Sequence, residues 1–377
     1  MTDLPAPLSW QPGEEPGGRR IAQLSAPEEA GLVLESGANL PGLNVAYETW
    51  GTLDGARANA VLVLHALTGD SHAAAQADPG HSTPGWWDPL IGPGRAVDTD
   101  RWFVVSPNVL GGCQGTTGPS SLSPDGAPWG SRFPRLTIRD QVAAEALLAD
   151  RLGIDRWAAV IGGSMGGMRV LEWCVGHPDR VERAVVLAVG AAATAEEIAL
   201  CSVQCRAIRL DPDFSGGDYY GTGGSPVAGM ELARGIGQIS YRTNAEFDRR
   251  FGRRAQGEEE PLHGGRFAVE SYLEHHGRKL ATRFDPNSYL VLSEAMNSHD
   301  VGRGRGGATA ALARVTAHVE VAGIDSDRLY PLALQQELAR LLPGGRRCTV
   351  VESEFGHDGF LLEVDQVGAV LASALGA

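Results

Sequence analysis

The sequence predicts an α/β fold: a mostly parallel sheet with helices on both faces, interrupted by an α-helical insertion over residues 191–298. Three observations carry this. Short apolar runs such as Ala60–Leu64, Trp102–Ser106 and Arg183–Val189 read as strands covered on both faces. A helical period over Ile138–Leu152 separates two such runs, the rhythm of a parallel sheet. Strand-like runs then become rare until Val315–Val321, where the rhythm resumes.

At 377 residues the chain exceeds the usual single-domain size, so one large domain with an insertion, or two domains, is expected. Apolar content of 43% and charged content of 21% describe an ordinary globular protein with a substantial core. A net charge of −14 argues against general nucleic-acid binding, and means that an anionic substrate must find a local basic pocket. Five cysteines scattered along the chain form no disulfide framework, which points to a reducing compartment. Met1 to Arg20 has no apolar core and does not read as a signal peptide. The longest small-or-apolar stretch, Ala184–Ala195, is too short to span a membrane. A cytoplasmic protein is expected.

In chain order, residues 1–25 read as a flexible tail and 26–190 with 299–377 as the α/β core. Leu32–Gly37 and Leu43–Trp50 alternate around a Pro41-Gly42 turn and predict an antiparallel hairpin. Gly80–Gly94, around Trp86 and Trp87, and Gly111–Pro119 read as loops. Within the insertion, helices are expected at Ala195–Leu210, Gly229–Arg242, Ala245–Arg253 and Arg266–Phe284, placed to cover the sheet's carboxyl edge. A helix at Leu332–Leu342, a strand at Cys348–Glu352 and a helix at Leu361–Leu375 complete the core.

The chemistry centres on Gly162-Gly163-Ser164-Met165-Gly166-Gly167, between the apolar run Trp157–Ile161 and a stretch of helical period. Strand, glycine-packed turn and helix are the context of a nucleophile elbow, whose helix N-terminus favours negative charge near the serine. Serine needs a base and a group to orient that base. Later strand ends supply Asp325 in Gly323–Asp327 and His357 in Ser353–Gly359, with Asp327 as the rival to Asp325. Asp325 is preferred as nearer the strand end. Oxyanion donors are expected from the Met165 N–H and from the loop His65–Gly69. His65, His72 and His81 lack the spacing of a zinc site, and Cys201 and Cys205 read as core packing. Gly302–Gly307 lacks the residues of a phosphate loop, so no metal and no permanently bound cofactor is expected.

Taken together, His65–Gly69, Gly111–Gly115, Gly162–Gly167, Gly323–Asp327 and Gly356–Gly359 resemble homoserine O-acetyltransferase. That is the methionine-pathway branch of the α/β-hydrolase fold. Pro84–Trp87, Gly118–Ser121 and Ser298–Gly304 resemble its actinobacterial members. The resemblance implies acetyl transfer from acetyl-CoA, as co-substrate, to the γ-hydroxyl of L-homoserine. Ser164, Asp325 and His357 would form the triad, with Leu67 and Met165 N–H groups as the oxyanion hole. Arg234 matches the family's carboxylate binder, Asp358 its ammonium binder, and Tyr241 lines the same pocket. A homodimer through the helical insertion is also implied. Alternatives that keep the machinery are homoserine or serine O-succinyltransferase and, more remotely, a serine esterase.

Overall fold

The computed structural model describes residues 9, 10 and 14–376. Its centre is an eight-stranded sheet. In chain order the strands are β1 (Arg20–Gln23), β2 (Asn44–Trp50), β3 (Ala60–Leu64), β4 (Phe103–Pro107), β5 (Ala159–Gly163), β6 (Arg183–Leu187), β7 (His318–Ile324) and β8 (Cys348–Val351). Their spatial order is β1-β2-β4-β3-β5-β6-β7-β8. From β4 to β8 every neighbouring pair is parallel, and β2 runs antiparallel to both β1 and β4.

The helices are α1 (Ile138–Leu152), α2 (Met165–Gly176), α3 (Ala195–Arg209), α4 (Val227–Tyr241), α5 (Asn244–Arg250), α6 (Ala268–Ala281), α7 (Pro286–Asn297), α8 (Ala308–Leu312), α9 (Leu332–Leu341), α10 (Gly359–Leu362) and α11 (Val364–Leu375). Sequence sets the bounds of α1 sharply. Thr137 caps it in a reciprocal capping box with Asp140, and Gly153 closes it in the left-handed region at φ 69°. Strand alternation sends side chains to two cores. Leu62 and Leu64 of β3 join residues of α1 and α2, whereas Val61 and Val63 join Val367 and Leu371 of α11.

Several expectations are corrected. The tail does not extend to residue 25, because Arg20–Gln23 pairs with β2 as an edge strand; residues 1–8 and 11–13 lie outside the described residues. The predicted hairpin does not form between Leu32–Gly37 and Leu43–Trp50. Leu32–Val33 pairs with Asn39–Leu40 in a small ribbon of its own, which leaves Asn44–Trp50 free to join the main sheet. The strand before the elbow extends through two glycines to Gly163, and β7 ends at Ile324 rather than Val321. Helix α7 is additional to the expected insertion helices; Asp285 caps it and Pro286 occupies its first turn, a recognised start signal. The four expected insertion helices are present within a few residues, and α3, α4 and α7 all contribute side chains to the cavity above Ser164. Among the described residues no helix is long and apolar enough to cross a membrane.

A buried ion pair ties the core to the loop after β3. Arg169 on α2 donates to Glu145 on α1 at 2.7 Å and to the His65 carbonyl at 2.5 Å, and the Trp173 indole donates to the other Glu145 oxygen at 2.8 Å. Removing one member leaves the other charge buried and unpaired. We expect Arg169→Met to lower unfolding stability by about 3–5 kcal/mol, measured by urea denaturation.

Candidate active site

Ser164 stands at the junction of β5 and α2, with φ 55° and ψ −125°. A non-glycine residue pays for such a backbone in strain, so its neighbours must hold it there. The turn closes because two glycines admit backbone where a Cβ cannot fit. A Cβ on Gly166 would lie 2.1 Å from the Leu64 carbonyl oxygen, and one on Gly162 would lie 2.6 Å from the Gly166 carbonyl carbon. The Ser164 N–H donates to the Leu187 carbonyl at 3.0 Å, which fixes the elbow to β6.

His357 follows β8 and is buried. Its Nε2 lies 2.9 Å from Ser164 Oγ, and its Nδ1 lies 2.6 Å from an oxygen of Asp327. Asp325 is therefore not the orienting acid, contrary to expectation. The β7 ladder continues one residue further, with the Asp325 N–H donating to Val351, and its exposed carboxylate accepts from the Ser353 N–H at 2.9 Å. The turn that follows carries Asp327 inward. There its second oxygen accepts from the Leu329 and Tyr330 N–H groups, each at 2.9 Å, which locks the carboxylate in place. Burial alone would lower the His357 pKa, but the adjoining Asp327 carboxylate outweighs it, and the net shift is upward. Tyr330 stacks on the imidazole at 5.0 Å, and Phe360 meets it edge-on at 5.4 Å.

Ser164 and His357 line a cavity of about 100 Å³ together with Arg234, Tyr241 and Asp358. Arg234 has no hydrogen-bond or carboxylate partner among the described residues, and its guanidinium lies over the Tyr241 ring, 5.4 Å from the centroid. Asp358 pairs with Arg242 at 3.0 Å, and burial raises its pKa. The N–H groups of Leu67 and Met165 find no acceptor among the described residues, the condition for an oxyanion site.

Two residues escaped the sequence reading. Glu197 lines the same cavity with one carboxylate oxygen unpartnered, and burial pushes its pKa up to about 7. Glu48, on β2, gathers His72 and His81, one on each carboxylate oxygen, at 2.9 and 3.0 Å. These three could in composition hold a metal ion. The geometry opposes it, because the two imidazoles stack at 3.8 Å and 10°, so their in-plane lone pairs run side by side rather than converging. His65 is a loop residue: its Nε2 accepts from the Val109 N–H, and burial, with Arg169 nearby, pushes its pKa down to about 3.

The arrangement suits acyl transfer through a serine, and the cavity carries an unpaired guanidinium with the chemistry to meet an anion. Residues 59–364 match the sequence model of the alpha/beta hydrolase fold family. The homoserine O-acetyltransferase of Thermobifida fusca is 60% identical over 373 residues, 99% of this chain and 97% of its own. That of Mycolicibacterium smegmatis is 56% identical, covering 95% and 96%. Among solved structures, homoserine O-acetyltransferase from Bacillus anthracis is similar with a TM-score of 0.86 at 27% identity, covering 95% of this chain and 97% of that one. Esterase E22 is similar with a TM-score of 0.85 at 28% identity, covering 95% and 99%.

Proposed function

Starting from a chain that belongs to the homoserine O-acetyltransferase family of the α/β-hydrolase fold, we propose that it moves an acetyl group from acetyl-CoA to the γ-hydroxyl of L-homoserine. The observation that carries this reading is the unpaired Arg234 guanidinium on the cavity of the Ser164–His357–Asp327 relay. Water as acceptor would leave that cation without a purpose; an amino-acid carboxylate satisfies it.

In the first half-reaction His357 Nε2 takes the Ser164 proton as Oγ attacks the thioester carbonyl. The oxyanion rests on the Leu67 and Met165 N–H groups. The C–S bond then breaks, and CoA leaves with the proton from the imidazolium. In the second, His357 takes the proton of the homoserine hydroxyl, whose oxygen attacks the acetyl-serine ester. Collapse returns the proton to Ser164 and releases O-acetyl-L-homoserine. Asp327 keeps the Nδ1 proton in place and stabilises the imidazolium in both halves. Asp358, beside His357, faces the acceptor ammonium. Residues 191–298 act as the lid domain of a core that begins with β1, runs to residue 190 and resumes at 299. The proposal extends to a homodimer through that lid, where Val203, Leu232 and Ile239 on α3 and α4 are exposed.

Acetyl-CoA with L-homoserine should give rapid thiol release, followed with a thiol reagent, while acetyl-CoA alone gives little. Release that does not need homoserine would favour the esterase reading, which the similarity to esterase E22 keeps in play. A strong preference for succinyl-CoA would overturn the acetyl assignment. Arg234→Ala should remove about 1.5–3 kcal/mol of carboxylate binding, so the KM for L-homoserine rises roughly tenfold to hundredfold with little change in the acetyl-CoA KM.

A further inference from the structure

A second cavity, of about 290 Å³, shares Thr68 with the cavity of Ser164. Cations outnumber carboxylates among its described lining residues, with Glu48 and Asp78 behind them acting on Arg19 and His72. Arg19, Lys279 and Arg283 line it with His72 and His81, and Asp70 is the one carboxylate among its described lining residues. We propose that this cavity is a phosphate subsite, receiving the nucleotide end of a CoA thioester whose acyl group reaches Ser164. The proposal rests on the acetyltransferase reading and names where the donor's charge is held.

Arg19 is only 5% exposed, yet among the described residues its Nε has no partner and its guanidinium has no carboxylate within ion-pair distance. Its other nitrogens make contacts of 3.3 Å to the Pro16 carbonyl and the Gln114 side chain, and of 3.4 Å to His81. His72 is 4% exposed and its Nε2 is likewise unpartnered. Its Nδ1 meets Glu48 at 2.9 Å, and that carboxylate raises the imidazole pKa against the lowering effect of burial, so Nε2 gains donor character. Buried donors without acceptors cost free energy until a ligand supplies oxygens.

Arg283 donates to the Thr68 carbonyl at 3.1 Å, which sets a cation beside the loop that carries the Leu67 N–H. Lys279, exposed and one helical turn before it, is unpaired among the described residues. A single carboxylate would need one of these cations. The pyrophosphate and 3′-phosphate of CoA need several, and Trp86 adds an aromatic ring to the wall for the base.

The test compares acetyl-CoA with S-acetylpantetheine, which keeps the thioester and lacks every phosphate. Lys279→Ala and Arg19→Gln should each raise the acetyl-CoA KM about tenfold, leaving the KM values for S-acetylpantetheine and L-homoserine unchanged. Equal effects on both donors, or none on either, would overturn the subsite. Lys279 is exposed, so its variant remains informative should Arg19→Gln fail to fold. Calorimetric titration with CoA needs no turnover: about tenfold weaker binding to Lys279→Ala supports the subsite, and unchanged binding overturns it. If inorganic phosphate binds wild type while CoA affinity is unchanged in the variants, the cavity is a general anion pocket and the proposal fails. Absence of homoserine-dependent thiol release from either donor, with the calorimetric difference intact, would instead fault the acetyltransferase reading.

Discussion

Ser164→Ala is expected to abolish the proposed acetyl-enzyme and to lower kcat by about 10⁶. The hydroxyl sits 2.9 Å from the His357 nitrogen at the tip of a strained turn, and no other side chain hydroxyl meets that imidazole nitrogen among the described residues. Alanine lacks the oxygen that would carry the acetyl group and changes little else, because the backbone strain is held by Gly162, Gly166 and the bond to Leu187. Intact-mass measurement after mixing with acetyl-CoA reads the result directly. Wild type should gain one acetyl mass and the variant none; a persistent adduct on the variant would mean that another residue is the nucleophile.

Asp327→Asn comes next in size, and it separates the two candidate acids. An asparagine in that place can offer Nδ1 an amide hydrogen in place of an acceptor, which favours the wrong imidazole tautomer and lowers kcat by about 10⁴. Asp325→Asn touches a loop contact to Ser353 and should cost less than about tenfold. Matching losses in the two variants would reopen the assignment. The pH profile moves with the charge. The base works as neutral imidazole, so kcat/KM falls as pH drops through the raised His357 pKa. Without that carboxylate only Asp358 and Glu197 still oppose burial, so the His357 pKa falls relative to wild type and the residual acid limb of Asp327→Asn shifts to lower pH.

The error over Asp325 shows where sequence reading stops. Apolar runs locate strands because burial on both faces removes polar residues, and β3, β4, β6 and β8 fall within two residues of expectation. A strand's last residue is set by ladder hydrogen bonds, which composition does not encode. β7 runs three residues past the apolar run, so the inward-facing acid is Asp327 rather than Asp325. Ser164 and His357 were legible because the elbow's glycines and the last loop's position fix them sterically. Glu197 was not, since it reads as an ordinary acid in the first turn of a helix, and its place in the cavity depends on what faces it. The Glu48 cluster joins residues from one strand and two separate loop positions, a juxtaposition that no spacing along the chain announces.

The imidazole of His357 is clamped between Tyr330 and Phe360 and tethered through Asp327. In the proposed reaction a base that cannot swing must serve both half-reactions at one point, so the thiol would leave from the place where the hydroxyl must arrive. Donor and acceptor would then compete for a single doorway. Excess L-homoserine should occupy the unacylated cavity and slow the reaction, and more acetyl-CoA should relieve it, giving substrate inhibition that is competitive toward the donor.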